Sequence, residues 1–176
     1  MKNLVFISGE MGAGKTSIVN FFEHAEHHTK YFTSKGQKNN TIVNGWVSPG
    51  GKHGLDSIGH KNSKAQFFAE TLPSLKDYNV IAHGTFYESR VDIERFAMNH
   101  KVFYIILKTS KEEIYRRVEV LRGGSIKEIT YNSSLSKNTK LLKDCEIRGL
   151  AHIVIDNNRS LEVVANEVWG IINNLK

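Results

Sequence analysis

Apolar runs and amphipathic stretches alternate along this chain, and the alternation predicts elements before any motif is read. Leu4 to Ile7 form a continuous apolar run, the pattern of a strand buried on both faces of a parallel sheet. NVIAHGTF at 79–86 and KVFYIILKT at 101–109 carry the same signature, and HIVIDNN at 152–158 predicts a last strand. Helical patterns fall between them: one with Ile18, Val19, Phe21 and Phe22 to about residue 25, one from 61 to about 75 with Ala65, Phe68, Ala69 and Leu72 on one face, and a short one over 91–100. SKEEIYRRVEVLRGG at 110–124 predicts a helix with Ser110 and Glu113 as a capping box and Gly123-Gly124 as its stop. SLEVVANEVWGIINNL at 160–175 turns Leu161, Val164, Val168 and Ile172 inward. TKYFTSKG and NTIVNGWV each supply a short strand, SPGGKHG breaks any regular element, and the stretch from 125 to 151 reads as a polar connection. Strands alternating with helices predict an α/β domain, a three-layer sandwich around a mainly parallel five-stranded sheet.

Composition narrows this picture without redirecting it. The 176 residues suit one domain over 1–176. No stretch has the apolar length of a membrane span, and Met1-Lys2-Asn3 leads into the first strand with no secretory signal, so a cytoplasmic protein without a membrane partner is expected. The single cysteine, Cys145, excludes an internal disulfide and reads as an ordinary residue. His24, His27 and His28 cluster without a clean metal-binding pattern and read as surface residues. The net charge of +6 is concentrated: between His27 and Ala69 six lysines face one carboxylate, Asp56. That bias suggests an anionic partner, although a solvated lysine-rich loop accounts for it equally well.

The chemistry enters between the first strand and the first helix. Gly9, Gly12, Gly14, Lys15 and Thr16 satisfy the spacing G-x-x-x-x-G-K-[ST] in the stretch LVFISGEMGAGKT. Strand, loop and helix arrive in the order that this motif requires. Glycines let the backbone curl so that successive N–H groups point at phosphate oxygens. Gly9, Gly12, Ala13, Gly14, Lys15, Thr16 and Ser17 are therefore expected to bind a nucleotide, with Lys15 on the β and γ phosphates and the Thr16 hydroxyl on Mg²⁺. Asp56-Ser57-Ile58-Gly59 spells the D-x-x-G of a GTP switch, but it follows GGKHGL rather than a hydrophobic strand, and the chain has no N-K-x-D motif. The match reads as accidental.

The early phosphate loop, the strand NVIAHGTF followed by Arg90, the segment KTSKEEIYRRVEVLRGG and the terminal IVIDNNRSLEVV together resemble the superfamily of small P-loop nucleotide and polynucleotide kinases. The resemblance implies ATP and Mg²⁺ as cofactors, phosphoryl transfer as the reaction, and a lid, here about 116–150. Arg117 and Arg122 match the family's lid arginines best, and would neutralise charge on the transferring group. Many members carry an aspartate at the end of the strand where this chain has His83. Metal support then rests on Thr16, with Glu88 or Asp56 as candidates to assist.

An acceptor hydroxyl needs a carboxylate to take its proton, and Asp56 is the only candidate between the first helix and residue 61. A turn or helix-capping role for it is the competing reading. Arg90 would clamp an acceptor phosphate. Lys35 and Trp46, with Tyr31 and Phe32, lie in an expected substrate-binding insertion at about 30–64, where aromatics among cations suit stacking on bases. They serve equally as a local core. The expected acceptor is a nucleic acid or nucleotide, at a 5′-hydroxyl or at a hydroxymethylated base of DNA, as in bacteriophage-type modification inside a host cell. A free nucleoside monophosphate kinase and a non-catalytic nucleotide-binding module remain as alternatives.

Overall fold

The computed structural model describes residues 1–22, 34–36, 41–44, 72–85, 97 and 99–175. Among the described residues six strands form one sheet: β1 (Lys2–Ser8), β2 (Ser34–Gly36), β3 (Thr41–Asn44), β4 (Asn79–Gly84), β5 (His100–Lys108) and β6 (His152–Asp156), in the order β2-β3-β4-β1-β5-β6. Leu4 is in register with Val80 of β4 on one side and Val102 of β5 on the other, both parallel. β3 and β6 extend the sheet in the same sense, and only β2 runs antiparallel, with Lys35 opposite Ile42. The sheet is mainly parallel as the alternation predicts, but its count is six rather than five. The stretch at about 30–64 is also not wholly an insertion, because Ser34–Gly36 and Thr41–Asn44 belong to the main sheet.

The apolar run of β1 is continuous because both of its faces are covered. Leu4 and Phe6 pack with Val80, Ala82, Tyr104 and Ile106 under Leu141 and Cys145 of α3 (Glu128–Arg148). Val5 and Ile7 face the other way, with Ile81, Ile105 and Leu107, against Ile18 and Val19 of α1 (Lys15–Asn20) and Val164, Val168 and Ile172 of α4 (Leu161–Asn174). Period-two alternation thus divides one hydrophobic strand between two cores. Cys145 is fully buried in the first of them.

α2 (Lys111–Arg122) begins at Ser110, whose hydroxyl accepts from the Glu113 N–H at 3.3 Å, and ends at Gly123 in the left-handed region. The expected capping box is only half made. Glu113 turns to Arg116 and Arg117, and the Ser110 N–H instead donates to Asn158 Oδ1 at 2.8 Å. α4 is capped similarly, with Ser160 accepting from the Val163 N–H.

The largest departure from the sequence reading is α3. A 21-residue helix occupies most of the stretch read as a polar connection. Its buried positions are Tyr131, Ser134, Asn138, Leu141 and Cys145, a 3–4–3–4 helical spacing in which two of the five are polar. The region at about 116–150 is correspondingly not a lid throughout, since α3 is one layer of the sandwich. The expected helix from 61 to about 75 is described only at Leu72–Leu75, which forms a 3-10 turn. Among the described residues no helix is long and apolar enough to cross a membrane.

Candidate functional site

β1 ends at Ser8, and the chain curls from Gly9 to Gly14 before entering α1 at Lys15. Two glycines make the curl possible. Gly12 and Gly14 both have φ near +88°, a region that L side chains rarely adopt. The surroundings restrict them as well: a Cβ on Gly12 would lie 2.8 Å from Val118 Cγ2, and one on Gly14 would lie 2.7 Å from Leu161 Cδ2. The loop turns on an Ala13 N–H to Glu10 carbonyl bond of 3.1 Å, and α1 starts with no side-chain cap on its first turn. Lys15 is buried, with Nζ donating to the Gly9 and Glu10 carbonyls at 2.9 Å each. Thr16 and Ser17 are half-buried at the start of the helix. A loop curled by two left-handed glycines, with the Lys15 ammonium held at its carbonyls, suits a phosphate group by its chemistry, and the Thr16 hydroxyl suits a hard cation.

The loop is held from two sides. On the first, Ala13 carbonyl accepts from Arg117 Nη1 and Asn157 Nδ2, both at 2.8 Å. Arg117 also donates from Nη2 to the Asn157 and Arg159 carbonyls and from Nε to Glu113 at 2.7 Å, and is only 3% exposed. A guanidinium with this many fixed partners ties α2, the phosphate loop and the turn before α4 together, and is not placed as a mobile lid arginine. The two guanidiniums at Glu113, first that of Arg116 and then that of Arg117, hold its carboxyl down to about 2. Asn157 is fully buried and donates its other amide hydrogen to Thr109 Oγ1 at 2.8 Å.

On the second side stands α3. Met11 N–H donates to Ser134 Oγ at 3.0 Å; Asn138 accepts from Ser8 Oγ at 2.9 Å and donates to Glu10 Oε1 and Leu107 carbonyl at 3.1 Å each. Glu10 occupies a variable position of the motif, yet it is 2% exposed. Burial pushes its carboxyl above the usual range, against the opposing effects of its own backbone N–H, Asn138, Lys15 and Lys108. A cavity of about 270 Å³ opens beside Met11, lined also by Val118, Ile126, Lys127 and Thr130.

Of the other residues singled out in the sequence, Asp56, Trp46, Arg90, Glu88, Tyr31 and Phe32 lie outside the described residues. Lys35 lies in β2 and Arg122 closes α2. His83 is buried in β4, in register with Ile7 and in step with Ile81, so it belongs to the face under α1. Among the described residues no group of three or more His, Cys, Asp or Glu side chains could hold a metal.

A gluconokinase from Sinorhizobium meliloti superposes with a TM-score of 0.62 at 12% identity, covering 97% of this chain and 91% of its own. The chain has the fold of the P-loop kinases. A sugar kinase from Janibacter sp. (TM-score 0.60, 16% identity, 98% and 96% covered) and a tunicamycin resistance protein from Deinococcus radiodurans (0.58, 12%, 100% and 98%) share it. No protein-family model and no curated protein matches the sequence. In this P-loop kinase fold the sequence motif accounts for Gly9, Gly14, Lys15 and Thr16, whereas Glu10, Ser134, Asn138 and Asn157 are fixed by no motif. The one sequence signal for Ser134 and Asn138 is their helical spacing with Tyr131, Leu141 and Cys145.

Proposed function

We propose that this protein is an ATP-dependent phosphotransferase that moves the γ-phosphoryl group to a hydroxyl of a nucleotide or nucleic acid. The supporting observation is the loop from Gly9 to Thr16, curled by two left-handed glycines with Lys15 Nζ at its carbonyls. Lys15 would exchange those carbonyls for the β and γ phosphates of the nucleotide, and the loop N–H groups would donate hydrogen bonds to the remaining phosphate oxygens. The Thr16 hydroxyl would hold Mg²⁺ beside the nucleotide, and the ion would supply further charge neutralisation. Arg117 acts by fixing the Ala13 carbonyl and hence the loop's curvature. Asp56 as base, Arg122 as lid cation and Lys35, Trp46 and Arg90 as acceptor contacts complete the reading.

A sugar or other small polyol is the second reading, favoured by the gluconokinase and sugar kinase that share the fold. An acceptor screen with labelled MgATP separates the two: single- and double-stranded DNA, RNA and nucleoside monophosphates in one arm, sugars and sugar acids in the other. Acceptor-dependent label transfer to the first arm, lost by about 10²-fold or more in Lys15→Ala, is the expected result. Transfer to sugars alone selects the second reading, and ADP release that no acceptor accelerates leaves only a nucleotide-binding module.

A further inference from the structure

Among the described residues, Glu10 is a buried carboxylate beside the phosphate loop that phosphoryl transfer does not employ. Its Oε1 accepts from Asn138, while Oε2 is fully buried and has no hydrogen-bond partner among the described residues. Among the described residues, the charged and titratable groups facing it are Lys15 at the start of α1, Lys108 at the end of β5 and Tyr131 of α3. His83 lies on the opposite face of the sheet. A buried carboxylate with one bare oxygen is tolerated only while cations compensate it. One of those cations is Lys15, bonded to the carbonyl of Glu10 itself. A polyphosphate entering the loop takes Lys15 for its own charge and adds further negative charge, so the compensation is withdrawn when it is most needed.

We propose that Glu10 makes polyphosphate binding at this loop proton-coupled: as the anion draws Lys15 away from the Gly9 and Glu10 carbonyls, the Glu10 carboxylate takes up a proton from solvent, and Asn138 holds the resulting carboxyl in place. The inference rests on the phosphate-loop reading above. It makes Glu10 a positioning residue whose charge state follows occupancy of the loop. The sign follows from linkage. Because the bound form holds the proton more tightly than the free form, affinity is greatest at low pH and falls as pH rises through the window between the two.

The test is calorimetric titration of the full chain with MgATP from about pH 5.5 to about pH 8.5, in paired buffers of different ionisation enthalpy. The wild type is expected to take up protons on binding, and its affinity to fall by about threefold to tenfold more across the range than that of Glu10→Gln. The variant lacks that share of uptake. Asn138→Ala removes a hydrogen bond that favours the carboxylate, so it moves the midpoint of the pH dependence upward. A purely structural role for Asn138 weakens binding evenly at every pH instead. Identical pH profiles and uptake in the wild type and Glu10→Gln overturn the proposal. Should Glu10→Gln fail to fold by circular dichroism, the Asn138→Ala midpoint decides: upward supports, unchanged overturns. Folded wild type that binds no MgATP at any pH overturns the phosphate-loop reading and this inference with it, whereas binding with no Glu10-dependent difference overturns the inference alone.

Discussion

At the scale of single residues, Glu113 and Glu10 show one side-chain type driven in opposite directions by its neighbours. Glu113 sits between two guanidiniums and is held to about 2; Glu10 is enclosed and pushed up. Their contributions to stability therefore oppose one another in pH. Glu113 has a lowered folded value, so its contribution is present above the ordinary carboxylate range and is lost as pH falls from 4.5 towards about 2. Glu10 has a raised one, so its contribution is present in acid and is lost as pH rises through its folded value. Glu113→Gln is expected to lower stability by about 1 kcal/mol at neutral pH, after allowance for solvent screening on the Arg116 side. The difference from wild type should shrink below pH 4.5 and close only as the pH reaches about 2 in urea titrations. A difference that persists undiminished in acid would mean that the carboxylate's charge is not what binds Arg117.

At the scale of elements, α3 is the helix on which the phosphate loop leans. Ser134 takes the Met11 N–H, while its neighbour Ser133 is exposed. Ser134→Ala should cost about 1–2 kcal/mol, because a part-buried backbone donor loses its acceptor, and Ser133→Ala should stay within about 0.5 kcal/mol. Equal effects in thermal or urea unfolding would remove α3 from the loop's support. The same helix shows where sequence reading stops. β1, the phosphate loop and α1 are legible because burial on both faces leaves an uninterrupted apolar run and because left-handed turns demand glycine. α2 and α4 are legible from their serine caps and apolar stripes. α3 has the right spacing, but Ser134 and Asn138 stand in its inward stripe because they face a polar loop rather than a core, and Ser, Asn and Thr crowd its first half. Its hydrophobic signal is diluted at the positions that support the site. Arg117 is inward by helical spacing, yet only the packed structure shows its guanidinium spent on three carbonyls in two other segments, the phosphate loop and the turn before α4.

For the whole molecule, the lysine excess between His27 and Ala69 bears on the acceptor rather than on the fold. If that stretch grips a polyanion, raising salt from about 50 mM to about 200 mM should raise KM for an oligonucleotide acceptor by about tenfold or more. KM for a neutral sugar would be nearly unmoved. Steady-state kinetics with each acceptor at both salt concentrations check this, and an oligonucleotide KM that ignores salt would count against a charged contact surface.

The position of β1 at the middle of the sheet also sets an order of events. Its partners are Val80 and Val102, opposite Leu4, so the strand that carries the phosphate loop is made well before either neighbour exists. During synthesis β1 emerges ahead of both partners as an exposed apolar segment and waits until β5 has left the ribosome before it can be enclosed. Closing such distant contacts is slow, and unpaired strands are prone to self-association meanwhile. The glycine-rich loop is thus translated ahead of both strands that flank its own, and is enclosed only once they arrive.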